Sequence, residues 1–290
     1  MPGEFMKRAV LNSIIASLIF LGGAFCLSEG AFAQETGQAQ QPAARKTSSV
    51  QVDVRDGYRY ISGFGVPHHA KDQARALGIV STPYAFRVPV KPKNTPRVTP
   101  WAPGMIFGVA LDGVPIKTAV DGYWNDNQNW LKLKRKFDAY GGFIDEGPGA
   151  YMYGAIPSGL VSKDLSHVGY AADGFPIFVS KNNKFTSSYR LLEGRRSDPP
   201  NGPGGVYDGA YFRDYNYIPG AGVLDRCNGV NIKGKYYIYI LTPDFLRIPK
   251  CWRGIPDPTF FSASSKAGSN LIVNEDDDEE TRQMKNRQRR

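Results

Sequence analysis

Few side chains in this sequence can carry acid–base or metal chemistry. His68 and His69 stand side by side, and only one other histidine, His167, is present. Neutral imidazole is a general base and a common metal ligand. His68 or His69, joined by a carboxylate from Asp112, Asp173 or Asp225, could therefore hold a metal ion. Adjacent residues face opposite sides of a strand, so the two histidines would have to converge in a turn. A polar turn before a short helix is the plainer reading, and His167 reads as a surface or hydrogen-bonded histidine. Asp112 and Asp173 are candidates for an acid/base pair if the fold brings them together, although each also lies in an Asp-Gly dipeptide suited to a tight turn. Tyr207, Tyr211, Tyr215 and Tyr217, with Phe212 among them, crowd a Gly- and Pro-rich stretch. Such a stretch suits an adaptable binding surface, including one for sugars, and suits equally a lid packed on a core. No G-x-S-x-G, H-E-x-x-H, Walker or dinucleotide motif occurs, and Ser166-His167 does not make a triad.

The elements that must position these residues are mostly strands. The 290 residues are 41% apolar with 32 Gly and 21 Pro, enough for a buried core broken by many turns. Gln51-Val52-Asp53-Val54 alternates, as does Tyr84 to Val90, and Lys235 to Leu241 is β-branched and aromatic. Helical periodicity is confined to a turn or two between His69 and Leu77. The expected fold class is mainly β (β-rich) with long loops and minor helix. It is also read as internally duplicated: Gly108 to Ile116 and Gly169 to Ile177 both fit G-x-A-x-D-G-x-P-I, and Tyr151-Met152-Tyr153 and Tyr237-Ile238-Tyr239 both fit Y-x-Y-x-x-x-P. The globular part is placed at 50–262, its halves at about 104–160 and 165–254.

The termini read as processing and tail segments. Lys7 and Arg8 precede the apolar run Ile14 to Leu21, and Ala31-Phe32-Ala33 supplies small residues for cleavage after Ala33. Residues 1–33 are thus expected to be a signal peptide of a periplasmic or secreted protein, not transmembrane once the signal is removed. A disordered leader is expected at 34–49 and a disordered charged tail at 263–290, where Glu275-Asp276-Asp277-Asp278-Glu279-Glu280 precedes several Lys and Arg. Removing residues 1–33 leaves the net charge at +9, which favours an anionic envelope polymer or a partner protein. No nucleic-acid reading module accompanies that charge, so no nucleic acid is expected. The cluster Lys132, Lys134, Arg135 and Lys136 reads as a solvated face. Cys227 and Cys251 survive processing, and in an oxidising compartment a disulfide is the natural reading, worth roughly 3 kcal/mol by loop entropy. A metal-binding or redox pair is the alternative, though the spacing lacks C-x-x-C.

The ordered motifs resemble the bacterial YHYH-domain family. After the two D-G-x-P-I segments come Asp225-Arg226-Cys227-Asn228-Gly229, Tyr237-Ile238-Tyr239 with Thr242, and Cys251-Trp252-Arg253-Gly254, and upstream stands Gly65-Val66-Pro67-His68-His69. The resemblance covers roughly 50–254 and implies an exported protein. Its departures are specific. Where the family has histidines, this chain has Met152, Gly154, Ile238 and Ile240, while Tyr151, Tyr153, Tyr237 and Tyr239 are kept. Two histidines one residue apart on a strand face one side and can chelate a metal; these replacements cannot. The expectation is therefore a non-enzymatic binding or structural protein of the envelope with a degenerate YHYH domain, without cofactor. The alternatives are a metal-binding protein or metal-dependent enzyme using His68/His69, and carbohydrate binding through the Tyr-rich loop.

Overall fold

The structure, a computed structural model, describes residues 50–145, 149–182 and 184–261. The segments expected to be a signal peptide (1–33), a disordered leader (34–49) and a disordered charged tail (263–290) lie outside the described residues. The chain opens with β1 (Gln51–Arg55), β2 (Tyr58–Gly63) and β3 (Tyr84–Pro89), an antiparallel three-stranded sheet. Next come β4 (Thr99–Pro100), the hairpin β5 (Gly108–Ala110) and β6 (Pro115–Ile116), and the ribbon β7 (Val120–Trp124) and β8 (Asn127–Leu133). β9 (Gly142–Ile144) and β10 (Tyr151–Tyr153) follow, then β11 (Leu165–Ala171) and β12 (Pro176–Ser180). The chain ends with β13 (Tyr189–Leu191), β14 (Tyr215–Tyr217), β15 (Gly229–Ile232), β16 (Tyr236–Leu241) and β17 (Cys251–Trp252). The protein is β-rich, as its alternation and aromatic runs predict. Among the described residues helix is limited to four 3-10 turns of three residues, and none can cross a membrane. His68–Ala70 is one of these turns.

An eight-stranded sheet, β15-β16-β12-β11-β5-β6-β10-β9, carries the motifs. Read outward from the antiparallel β5–β11 junction, both directions give the same sequence of partners. First comes a hairpin mate, then a parallel Y-x-Y strand, then an antiparallel edge strand. Both hairpins turn through their Asp-Gly pair. Gly113 (φ 80°) and Gly174 (φ 89°) take a left-handed conformation that glycine adopts without strain. Their N–H groups donate to Ala110 and Ala171 carbonyls at 2.9 and 2.8 Å. Three-residue loops ending in such a glycine are a common hairpin closure.

The core lies between this sheet and the C-terminal segment. Trp252, fully buried, stacks on Phe107 with centroids 5.5 Å apart and donates its indole N–H to the Phe107 carbonyl at 3.0 Å. Phe260 stacks on Phe86 of β3 at 4.4 Å, tying the three-stranded sheet to the same core.

Candidate functional site

The two tyrosine motifs each engage two carboxylates. In the first half, Tyr153 donates to Asp112 Oδ2 at 2.9 Å and Tyr151 to Asp138 Oδ2 at 2.7 Å. Asp138 Oδ1 also accepts the backbone N–H of Tyr140 (2.8 Å) and Gly142 (2.9 Å). In the second half, Tyr239 donates to Asp173 Oδ2 at 2.6 Å and Tyr237 to Asp225, whose Oδ1 accepts the N–H of Cys227 (2.9 Å) and Gly229 (3.0 Å). The outer tyrosine of each motif lies across the neighbouring strand over a glycine. A Cβ on Gly142 would sit 2.0 Å from the Tyr151 ring, and one on Gly229 2.1 Å from the Tyr237 hydroxyl. Asp138-x-x-x-Gly142 therefore matches Asp225-x-x-x-Gly229, a further pair legible in the spacing.

Burial sets the electrostatics of both nodes. Asp112 is pushed above the usual carboxylate range by burial, with the Tyr153 hydroxyl, the Val114 N–H and His68 pulling it back. Asp173, 1% exposed, is pushed up to about 6 by burial, opposed by Tyr239 and by the Gly254 and Phe175 N–H groups. Tyr151, Tyr153, Tyr237 and Tyr239 are all raised, burial first and the nearby carboxylates second. Raised phenols stay protonated and act as donors, as each of the four does here to a carboxylate.

What covers each node differs. The second is closed by the segment after β17: Gly254 N–H donates to Asp173 Oδ2 (2.9 Å) and Arg253 N–H to the Tyr239 hydroxyl (2.7 Å). That segment is pinned by the Cys227–Cys251 disulfide, which answers the cysteine alternatives. The first is covered by the His68–His69 turn. His69 stacks on Tyr140 with centroids 3.7 Å apart, and its Nε2 lies 3.5 Å from the Tyr151 hydroxyl. Burial lowers the His69 pKa, against the pull of Asp138 and Asp112. Tyr140 and Cys227 hold the same place in the two Asp-x-x-x-Gly segments.

The structure thus brings His68 and His69 to Asp112 and Asp138, and leaves Asp173 elsewhere. The antiparallel register Gly108↔Ala171 and Ala110↔Gly169 sends the two Asp-Gly turns to opposite ends of the β5–β11 pair, so Asp112 and Asp173 do not form an acid/base pair. Among the described residues no three His, Cys, Asp or Glu are grouped as metal ligands. The replaced histidine positions are packed with apolar atoms. Ile238 and Ile240 cluster with Leu224, Met152 is 5% exposed, and a Cβ on Gly154 would meet the Phe137 ring at 2.4 Å. In the Tyr-rich loop, Tyr215 stacks on Phe245 at 3.9 Å and Tyr217 lies 5.5 Å from Tyr189. Tyr211 and Tyr207 flank Arg196, which is buried against Asp214. His167 Nε2 donates to the Gly169 carbonyl at 2.9 Å, and burial lowers its pKa.

One cleft unites groups that the motifs do not mark. A cavity of about 500 Å³ beside the second Asp-Gly turn is lined by Arg59, Lys91 and Lys235 with Tyr170, Phe178 and Tyr236, and no carboxylate lines it. Arg59 lies over the Tyr170 ring at 4.1 Å, a cation–π contact. Tyr236 is 68% exposed at its rim. Among the described residues Arg59, Lys91 and Lys235 form no ion pair. Sequence reading missed the set because its members come from β2, the β3 exit, β11, β12 and the β15–β16 turn. A cation beside an aromatic, as in Lys235-Tyr236, was the available signal. In the matched positions of the first half stand Val109, Lys117, Gly149 and Ala150 for Tyr170, Phe178, Lys235 and Tyr236.

No curated protein and no solved structure matches the chain. Residues 85–254, more than half of the chain, match the family described as YHYH protein. That span holds both Asp-Gly turns, both tyrosine motifs and the disulfide, and the chain belongs to the YHYH protein family.

Proposed function

We propose that this is an exported, non-enzymatic binding protein of the cell envelope that holds an anionic polymer in the cleft of Arg59, Lys91 and Lys235. The single observation that carries the reading is three cations that form no ion pair among the described residues, on an aromatic floor with no carboxylate in the lining. Cations near one another on a low-dielectric wall focus a positive potential. The exposed Tyr236 and the half-buried Tyr170 and Phe178 offer flat faces for sugar rings or other apolar portions of the polymer. The apolar filling of the four replaced histidine positions supports a role in binding over catalysis. The matched residues and strand order of the two halves support an internal duplication, with the cleft elaborated on one copy.

The test is a titration of the full chain with polygalacturonate, a uronic-acid polymer, and with neutral dextran at 50 and 500 mM salt. The expected result is binding to the charged polymer alone, weakened at least tenfold by the higher salt, since exposed charges are screened over a few ångströms there. Equal binding of both polymers, or of neither, overturns the reading.

A second reading, a metal-binding protein, draws on one observation: His68 and His69 share a region with Asp112 and Asp138. It requires near-stoichiometric copper, zinc or iron in the purified chain, lost on replacing both histidines. Metal-free protein whose melting temperature ignores added metal eliminates it.

A further inference from the structure

We propose that the acidic run Glu275–Glu280 of this chain docks in the cation-lined cleft and competes there with external polyanions. The proposal rests on the cleft reading above and adds a partner for it: the protein's own C-terminus. Three observations meet. First, among the described residues the cleft offers Arg59, Lys91 and Lys235 without an acidic residue in its lining. Second, the run is six consecutive carboxylates, whereas the chain as a whole carries +9. Such a block gains most where positive potential is already focused. Third, the last described segment is bonded to β3, the strand that leads into the cleft wall. Thr259 Oγ1 accepts the Arg87 N–H at 3.0 Å and Asp257 Oδ2 accepts from Arg87 Nε at 2.8 Å. Arg87 belongs to β3, which runs directly into the Val90–Pro92 lining.

The connection reaches far enough. Glu275 lies 14 residues beyond Phe261, a span of up to about 48 Å when extended. A domain of this size has a radius of gyration of about 17 Å. Reach alone also admits other basic surfaces, such as the Lys132, Lys134, Arg135 and Lys136 cluster. There, however, carboxylates are already in place: Lys134 pairs with Asp121 at 3.2 Å and Arg135 with Asp208 at 3.5 Å. An acidic segment therefore gains less from that cluster than from the cleft. Because binding is intramolecular, the effective concentration is in the millimolar range for short linkers. Even weak docking then competes with a polymer in solution.

The experiment uses the full chain and a full-length variant whose residues 275–290 keep their composition but alternate acidic and basic residues. Zero-length carbodiimide cross-linking followed by mass spectrometry reads docking directly. The expected result is amide links from Lys91 or Lys235 to the acidic run, lost in the alternating variant and at 500 mM salt. Links spread evenly over surface lysines, or none to Lys91 and Lys235, overturn docking. Competition is read separately with polygalacturonate, which the alternating variant is expected to bind at least tenfold tighter than the native chain. Native-like affinity in that variant overturns competition. If the links form but neither protein binds the polymer, docking stands and the polymer reading fails, so the two failures are told apart.

Discussion

The two halves of the large sheet share a framework and differ in what they do with its surface. Both close a hairpin on Asp-Gly, bury that Asp under the inner tyrosine of a Y-x-Y strand, and lay the outer tyrosine over a glycine. The first half covers its node with a non-covalent turn, His69 stacked on Tyr140, and carries Gly149 and Ala150 where the second has Lys235 and Tyr236. The second half locks its node with a disulfide and two backbone N–H groups, then opens a basic, aromatic cleft beside it. Common positions specify the fold, and the cation-lined cleft lies where the halves depart from each other. The anchoring difference also makes physical sense: a cleft wall built on a locked node stays in shape without a ligand.

The largest expected effect tests whether the second node is the firmer one. Asp173→Ala strands the Tyr239 hydroxyl and the Gly254 and Phe175 N–H groups, and should cost about 3–5 kcal/mol. Asp112→Ala, with fewer partners, should cost about 1–3 kcal/mol. Denaturant unfolding of both proteins checks the order, and equal losses would break the comparison.

Titration sharpens it. Asp173 sits at about 6 in the fold and about 3.9 in the unfolded chain. A raised folded pKa stabilises fully below the unfolded value, and that stability is lost as pH rises through about 6. The loss amounts to about 3 kcal/mol. Unfolding free energies of native protein and Asp173→Asn, measured from pH 4 to 7, should differ by that slope. His69 runs the other way: lowered by burial, it contributes above its unfolded value near 6.5 and loses that contribution as pH falls through the lower folded value. The native protein compared with His69→Phe should show this smaller, opposite trend.

Gly142→Ala and Gly229→Ala probe what the halves share. Each new Cβ meets a tyrosine at 2.0–2.1 Å, so each should destabilise by about 1–3 kcal/mol, and by similar amounts. Thermal melts read this, and a neutral substitution at either position would deny the tyrosine-over-glycine packing there. The smallest effect is His69→Ala, expected to cost about 1 kcal/mol through loss of the Tyr140 stack, with no change in polymer affinity.

Much of this was legible in the sequence. The paired D-G-x-P-I segments marked the hairpins, alternation marked β1 and β3, and Cys227 and Cys251 marked the disulfide. These are local signals whose geometry follows from turn and strand periods. The meeting of His69 with Asp138 was not legible, because it depends on where a turn near residue 69 lands relative to a loop near 138. The role of the tyrosines was readable only as structural, without their carboxylate partners. The cleft was the least legible feature, since five separate segments line it and its three cations lie outside the motifs. The Tyr-rich loop stood out in sequence by density, yet its rings pack on Phe245, Tyr189 and the buried Arg196 pair.

The central claim is that the second half binds polyanions through its cleft, and one affinity measurement tests it most directly. Isothermal titration of polygalacturonate into the native chain and into an Arg59→Gln, Lys91→Gln, Lys235→Gln triple variant isolates those three charges. The three side chains form no ion pair among the described residues, so the variant should stay folded and lose about 1 kcal/mol at most with the Arg59–Tyr170 contact. The account predicts at least a tenfold loss of affinity with the fold intact, and undiminished affinity in the triple variant would contradict it.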